Sequence, residues 1–362
     1  MNTDNSIKEY RRQVAKQAML EREWYTVRPI IGNSWAMFYM LLGGREAGKS
    51  YSVTDFYVRQ FKKYGRPFYW LRLTEESANK LLNNNAEKLV DPDLRRKYNL
   101  DLETRAGNVY NITKRDEKGK VLEKQLMAKV FALSTFYNDK GSGIFDKDFL
   151  NDPKMYYNIC LDEMNREKNE RKTFDIVYAF VNQLENLVRS TKHRLRIICI
   201  GNTLEEASDI LAQFNFIPET FGIFKLKKKR CVIEYIEPSK KYLDRRKGTV
   251  ADILTPTAST FTNKIDVDKT LIYKGRLRAP NHVIMFSKDK EDWFTVWNSR
   301  VVKKYNGEKV PVIAMRPYLD KLFNTELRDS VIEQFDARNY YFRDLITQKL
   351  FKKQLELLKP RK

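Results

Sequence analysis

The sequence is poor in the residues from which disulfide, metal and triad chemistry are built. It has three cysteines, Cys160, Cys199 and Cys231, which stand far apart in apolar, strand-like surroundings. That spacing indicates small buried side chains, and it excludes a disulfide framework or a cysteine zinc site. There are only two histidines, His193 and His282, so the sequence offers few residues for a His-rich metal site or a Ser-His-Asp triad.

Long hydrophobic runs are missing, and acidic residues are scarce relative to basic ones. No apolar run approaches the ~18 residues that a membrane span needs, and the N-terminal stretch lacks the apolar centre of a signal peptide. We therefore expect an intracellular protein without a membrane partner. Lys and Arg total 68 against 47 Asp and Glu, a net charge of +21. This excess favours a polyanionic partner, and the alternative is a basic surface that serves solubility alone.

The hydrophobic pattern predicts two α/β domains. The 362 residues are 42% hydrophobic and 13% aromatic, which is enough for substantial cores. Apolar strands alternate with helical periods up to about residue 220, and this predicts a mainly parallel sheet flanked by helices. The strand-like runs HVIMF, WFTVW and VPVIAM, followed by two helical segments, predict a smaller second domain. We expect a first domain at 1–238, a linker or lid at 239–266, and a second domain at 267–362.

A glycine-rich loop follows the first strand of this pattern. The loop matches G-x-x-x-x-G-K-[ST] in full, with a buried strand before it and a helix after it. In such loops backbone N–H groups and the helix N-terminus bind phosphate oxygens. We expect Lys49 to reach the β- and γ-phosphates and Ser50 to ligate Mg²⁺. The predicted nucleotide-binding residues are Gly43, Gly44, Arg45, Glu46, Ala47, Gly48, Lys49, Ser50 and Tyr51.

Two later strands end in residues that complete such a site. The apolar strand YYNICLDE ends in Asp162 and Glu163. We predict that Asp162 orients Mg²⁺ and that Glu163 polarises the attacking water, and the paired acid favours ATP hydrolysis. The strand RIICIGN ends at Asn202, which is either a γ-phosphate sensor or a simple turn residue.

The rate of phosphoryl transfer also rises when a positively charged side chain contacts the transferred phosphoryl group. Arg189 ends the helical period before the RIICIGN strand, on its polar side, where it could project toward a neighbouring subunit. Arg45, inside the loop, could act within the same chain. A solvated arginine at a helix end is the alternative interpretation of Arg189.

These motifs resemble the genome-packaging ATPases of phi-29-like tailed bacteriophages, relatives of the terminase large subunits in the ASCE branch of P-loop motors. The resemblance rests on the phosphate loop and on the segments FYWLRL, LSTFYNDKGS, ICLDEMNREK, LENLVRSTKHRLRIICIGN and FNFIPE. It continues weakly through FTVW to the closing helices. The specific motifs all lie within 35–220.

The resemblance implies a ring ATPase that uses ATP and Mg²⁺ to translocate double-stranded DNA into a phage procapsid. Lys49, Asp162 and Glu163 match the family's loop lysine and acid pair. Its trans-acting arginine finger falls on Arg189, and a second trans-acting basic residue falls on Lys140. The implied assembly is a homo-pentamer in the host cytoplasm, docked transiently at the portal vertex through the portal or connector. Some relatives also use a structural RNA, and that partner stays open here.

For the second domain the resemblance implies an RNase H-like fold. Nucleases of that fold hold two metals with carboxylates on their strands. The runs HVIMF, WFTVW and VPVIAM contain no Asp or Glu. We therefore expect a vestigial nuclease domain that binds nucleic acid without cutting it.

Basic clusters mark candidate nucleic-acid contacts. Phosphate contacts made by such residues are independent of sequence and sensitive to salt, as a translocating motor requires. The alternatives are a P-loop helicase or replication-initiation ATPase, an active terminase nuclease, and a basic scaffold with a degenerate pocket. The clusters are 225–230, 240–241 with 245–247, 274–278 and 352–362.

Overall fold

The structure is a computed structural model in which the chain forms two compact units. The first unit comprises 1–205 with 218–266, and the second comprises 206–217 with 267–362. The structure describes residues 10, 13–14, 17–141, 143, 156–166, 173–188, 194–202, 208–254, 269–277, 282–287, 293–303, 309–313, 318–321 and 326–358.

A nine-stranded sheet forms the centre of the first unit. Its spatial order is β3-β4-β5-β2-β6-β7-β1-β9-β8, and the six strands from β5 to β9 in that order are parallel. The predicted α/β fold with a mainly parallel sheet is therefore confirmed. The strands are β1 Phe38–Gly43, β2 Phe68–Arg72, β3 Leu102–Arg105, β4 Asn108–Arg115, β5 Val121–Ala132, β6 Tyr156–Asp162, β7 Arg194–Asn202, β8 Gly222–Leu226 and β9 Cys231–Tyr235.

Helices cover this sheet, and α2, Lys49–Tyr64, illustrates how the sequence determines such a helix. Val53, Tyr57 and Phe61 recur every four residues and are buried, so they lie on one face of the helix. The helix ends at Gly65, whose φ of 65° is the left-handed conformation that glycine adopts at helix ends. The helices of this unit are α1 Arg28–Ile31, α2 Lys49–Tyr64, α3 Glu75–Ala86, α4 Pro92–Tyr98, α5 Ile176–Val188, α7 Lys240–Arg246 and α8 Val250–Leu254.

The strand order brings the predicted site residues to one edge of the sheet. β7 lies between β1 and β6, so one strand separates the loop strand from the acid-bearing strand. Gly43 pairs with Asn202, and Asp162 pairs with Ile200. Because the carboxyl ends of parallel strands meet at the same edge, the tips of β1, β6 and β7 converge there.

Three local expectations can be compared with the structure. The two β-rich runs that flank 116–119 in the sequence predict a hairpin, and this prediction is confirmed, since β4 and β5 pair antiparallel across that turn. The three cysteines are free and buried, as expected. The run KLKKKRCVIEYIEP, 225–238, predicts a single basic edge strand, and this prediction is wrong. That stretch folds back at Arg230, which has a φ of 49°, so β8 forms the edge and β9 is buried between β8 and β1.

The unit boundaries also differ from the predicted ones. The segment 239–266, expected as a linker or lid, lies in the first unit and contains α7 and α8. The segment 206–217 groups instead with the second unit. Its short helix α6, Asp209–Gln213, has three consecutive buried residues, and Asp209 forms an ion pair of 3.1 Å with Lys349.

The second unit contains a five-stranded mixed sheet. β10, β11 and β12 are antiparallel, β14 is parallel to β12, and β13 pairs with β11. The pattern did not predict β13 or β14, which are only four and two residues long. Asp320 on β13 is the one acidic residue in these five described strands, and the RNase H-like assignment stays a prediction. The elements are β10 His282–Ser287, β11 Trp293–Lys303, β12 Lys309–Ile313, β13 Tyr318–Lys321, α9 Glu326–Asp336, β14 Tyr341–Phe342 and α10 Leu345–Leu358.

Membrane insertion was not expected from the sequence. Among the helices that the structure describes, none is long and apolar enough to cross a membrane.

Candidate functional site

The glycine-rich loop leaves β1 at Gly43 and enters α2 at Lys49. Two loop residues have left-handed backbone conformations: Glu46 with a φ of 61° and Gly48 with a φ of 84°. A Cβ on Gly48 would also lie 3.2 Å from the Trp24 ring. A side chain at position 48 would therefore be strained in its backbone conformation and crowded by Trp24.

Lys49 lies beneath this loop and is buried. Its Nζ donates hydrogen bonds to the carbonyl oxygens of Gly43, at 3.0 Å, and Gly44, at 2.6 Å. Burial lowers the pKa of its ammonium group to about 8. A cation held in a desolvated position binds a phosphate oxygen more strongly than one in water does.

Asp162 ends β6 and is also buried. Its Oδ1 accepts hydrogen bonds from Ser50 Oγ and from the Glu163 backbone N–H, both at 3.1 Å. Its Oδ2 forms an ion pair of 3.0 Å with Arg72. Burial raises the pKa of this carboxyl group, and the guanidinium of Arg72 opposes that shift.

The Ser50 and Asp162 oxygens fit Mg²⁺ as a partial ligand set. Mg²⁺ usually binds one or two carboxylates and completes its shell with waters and substrate phosphates. The described residues contain no group of three or more His, Cys, Asp or Glu side chains that could hold a metal. The pair therefore suits a cation that a bound triphosphate also ligates.

Glu163 follows directly and has an unusual backbone. Its φ of 58° is left-handed for a non-glycine residue, a conformation that persists only where the surroundings enforce it. Its side chain is 55% exposed and forms an ion pair with Arg72. Arg72 thus bridges both acids.

The loop, the acids and Asn202 line one cavity of about 410 Å³. Gly201 and Asn202 come from the tip of β7, and Arg72 comes from the tip of β2. All the predicted nucleotide-binding residues from Arg45 to Tyr51 line the cavity. Gly43 and Gly44 are not among its lining residues, and their carbonyl oxygens accept hydrogen bonds from Lys49.

Of the two residues expected to act in trans, the structure describes Lys140, which does not line this cavity. Lys140 is exposed and follows a 3₁₀ turn, Leu133–Asn138, that packs on α5. Asn186 of α5 donates to the Phe136 carbonyl oxygen at 2.7 Å, and Gln183 donates to Asp139 at 3.0 Å. Arg189 lies outside the described residues, one position beyond the end of α5.

Sequence reasoning missed the role of Arg72. The signal was an arginine at the end of the FYWLR strand, β2, which pairs directly with the acid-bearing strand β6. Strand neighbours cannot be read from one sequence when the strands are about ninety residues apart.

Sequence reasoning also missed α7, whose side chains donate hydrogen bonds to carbonyl oxygens of the glycine-rich loop. Tyr242 Oη and Arg246 donate to the carbonyl oxygen of Arg45 at 2.9 and 3.1 Å, and Arg245 donates to that of Glu46 at 2.7 Å. Arg245 also stacks on Trp24, 3.7 Å from the ring centroid. Arg245 and Arg246 had been expected to contact nucleic acid. That expectation is wrong for Arg246, which is buried.

Comparison with known proteins finds relatives among the phage DNA packaging proteins. The Podovirus DNA encapsidation protein (Gp16) family matches residues 22–331. The DNA packaging protein of Bacillus phage phi29 is 24% identical over 187 residues, which cover 49% of this chain and 46% of the relative. The chain thus spans about half the length of this curated relative.

Two solved structures share the fold. The Phi-28 gp11 DNA packaging motor has a TM-score of 0.57 at 14% identity, covering 94% of this chain and 99% of its own. The bacteriophage Phi-29 viral genome packaging motor assembly has a TM-score of 0.57 at 16% identity, covering 93% and 100%. Because the family match extends over most of the sequence, the chain belongs to the Podovirus DNA encapsidation protein (Gp16) family.

Proposed function

We propose that this chain is the ATP-hydrolysing subunit of a motor that moves double-stranded DNA into a phage procapsid. One observation carries the proposal: Lys49, Ser50, Asp162, Glu163 and Asn202 line one cavity at the carboxyl edge of a parallel sheet. The packaging activity of the relatives in the family supports the choice of DNA as the transported polymer.

In this proposal each residue has a distinct task. Lys49 and the loop N–H groups bind the phosphates, and Ser50 and Asp162 would hold Mg²⁺, which would supply positive charge to the bound triphosphate. Glu163 accepts a proton from the attacking water. Asn202 contacts the γ-phosphate or that water, and it therefore responds when the γ-phosphate is lost.

We place the activating cations on a neighbouring subunit. α5 leads into β7, so it ends at the sheet edge where β7 begins, whereas the cavity lies at the edge where β7 ends. The nine residues of β7 separate these edges by roughly 30 Å. The distance between the two edges supports Arg189 acting on the next subunit of a ring, and we propose the same role for Lys140.

The remaining parts of the proposal concern partners. The net charge of +21 supports sequence-independent contact with DNA phosphates. We propose a homo-oligomeric ring, a pentamer as in the resemblance, docked at the portal in the host cytoplasm, with the second unit as a nuclease-like domain that binds nucleic acid and does not cleave it. Plasmid nicking with Mn²⁺ would contradict the last point.

Arg72 gives a test of how the two acids are held. Replacing Arg72 with alanine leaves two adjacent carboxylates without their shared cation. We expect the hydrolysis rate to fall about 10–100-fold, as is typical when the partner of a metal-binding carboxylate is lost. Arg96→Ala is the control, since Arg96 pairs with Asp93 on the exposed surface of α4. Equal rates for the two variants would remove Arg72 from the site.

The overall proposal is tested by ATP hydrolysis with and without linear double-stranded DNA. We expect DNA to stimulate hydrolysis, and we expect the stimulation to weaken steeply with salt and to rise with protein concentration as rings assemble. Lys49→Ala should abolish both rates, whereas Lys62→Ala, an exposed lysine on the same helix, should not. An unchanged rate in Lys49→Ala would favour a scaffold with a degenerate pocket. Strand displacement with a preference for single strands would favour a helicase.

A further inference from the structure

A basic segment, 225–230, contains the end of β8 and the turn into β9. Its sequence, KLKKKR, has five basic residues and no acidic one, and all five basic side chains are exposed. None of the five forms an ion pair with another residue that the structure describes. Lys97 and Arg115, by contrast, are surface cations that pair with aspartates of the same chain. The basic segment therefore presents positive charge that these parts of the chain do not neutralise.

The backbone of this segment is held in one conformation. Lys227–Lys229 form a 3₁₀ turn, and Arg230 ends it with a left-handed φ of 49°. The carbonyl oxygen of Arg230 accepts hydrogen bonds from the backbone N–H groups of Met37, at 2.8 Å, and Phe38, at 3.0 Å. The turn is thus anchored to the start of β1. A surface that is ordered before binding loses less conformational entropy when a partner binds.

The arrangement of the cations indicates the kind of partner. Successive side chains of a 3₁₀ turn point about 120° apart, so the three turn lysines cover a wider arc than one phosphate occupies. Four of the five cations are lysines, whose ammonium groups bind phosphates as point charges. The segment has no aromatic residue on which the bases of a single strand would stack. These features fit the backbone of a double-stranded nucleic acid.

The segment lies away from the nucleotide cavity. β9 runs parallel to β1, so the segment is at the edge of the sheet where β1 begins, and the cavity is at the edge where β1 ends. The five residues of β9 separate the two edges by roughly 17 Å. A polymer bound to the basic segment therefore leaves the entrance for ATP free.

We propose that the basic segment 225–230 binds the phosphate backbone of double-stranded DNA, whatever its base sequence. The inference rests on the proposed function, which supplies DNA as the polymer. It assigns the contact to one surface of the first unit, beyond the general attraction that the net charge provides.

The test measures how the affinity for DNA depends on salt. Each lysine that binds a phosphate adds about one unit to the slope of log affinity against log salt. For Lys228→Ala combined with Lys229→Ala we expect the slope to fall by about 2 and the dissociation constant for a duplex to rise at least about tenfold at low salt. Two duplexes of unrelated sequence should show the same loss, and hydrolysis of ATP without DNA should keep its wild-type rate.

Lys118→Ala combined with Lys120→Ala is the matched control. These exposed lysines lie in the turn between β4 and β5, toward the other end of the strand order, and their loss changes the net charge equally. Equal slopes for the two double variants would overturn the inference. Unchanged affinity for duplex DNA, with weaker binding of duplex RNA or polyglutamate, would overturn it in favour of an RNA or an acidic protein.

Lysine acetylation of the unaltered chain makes the test independent of how the variants fold. We expect duplex DNA to protect Lys227, Lys228 and Lys229 from the reagent and to leave Lys118 and Lys120 reactive. Equal reactivity of the turn lysines with and without DNA would contradict the assignment. Failure of the proposed function is separate, because it would show as unchanged hydrolysis in Lys49→Ala.

Discussion

Replacement of Glu163 with glutamine should lower the rate of ATP hydrolysis about 10³-fold, the range expected when a general base is lost. The affinity for ATP should stay close to that of the wild type, because Lys49, Ser50 and Asp162 are unchanged. The substitution is nearly isosteric and keeps a hydrogen-bond acceptor for Arg72, which contacts this carboxylate. The measurement is single-turnover hydrolysis together with binding of a nonhydrolysable ATP analogue.

Glu46→Gln is the matched control for that experiment. Glu46 lies on the same cavity, and its side chain is 70% exposed. Removing its charge changes the local potential without removing the proposed base. If both variants lost the same modest fraction of activity, Glu163 would contribute only through the electrostatic field of its charge and would not be the general base.

Alanine at Arg189 should produce an effect of similar or greater size in the assembled ring. A cation supplied to the transferring phosphoryl group contributes on the order of 10³–10⁵ in rate. Since we place this arginine on the neighbouring subunit, isolated Arg189→Ala subunits should bind ATP normally. The measurement compares ATP affinity with DNA-stimulated hydrolysis.

Mixing variants tests the placement between subunits directly. An Arg189→Ala subunit has an intact pocket, and a Glu163→Gln subunit has an intact arginine. In a randomly mixed ring about one quarter of the interfaces would unite the two intact parts, so hydrolysis should return to a measurable fraction of the wild-type rate. If no mixing ratio restored activity, the arginine would act within its own chain or serve only the structure.

The sequence allowed the central part of the site to be predicted because its signals are local. A buried strand, a glycine loop and a helix follow one another within 38–64, and two acids end the strand YYNICLD. Glycine conformations and strand ends are determined by a few neighbouring residues. For this reason the residues from Arg45 to Ser50 and the two acids were found at the cavity without knowledge of the tertiary structure.

The parts that were missed depend on contacts between distant residues. Arg72 meets Asp162 across ninety positions, and Tyr242 meets Arg45 across nearly two hundred. In the sequence, Arg245 and Arg246 stand among other basic residues, in a segment whose apolar residues show no sustained helical or strand period. They therefore resembled a cluster of basic side chains on the solvent-exposed surface. Only the tertiary fold brings α7 against the loop, where its side chains donate hydrogen bonds to the carbonyl oxygens of Arg45 and Glu46.

The most direct test of the account is a crystal structure of the chain with Mg²⁺ and a nonhydrolysable ATP analogue. We predict the γ-phosphate within hydrogen-bonding distance of Lys49 Nζ and the cation between Ser50 and Asp162. The claim that this cavity binds and hydrolyses ATP would be contradicted by a nucleotide bound elsewhere. It would also be contradicted by a loop whose carbonyl oxygens still bind Lys49 at saturating analogue.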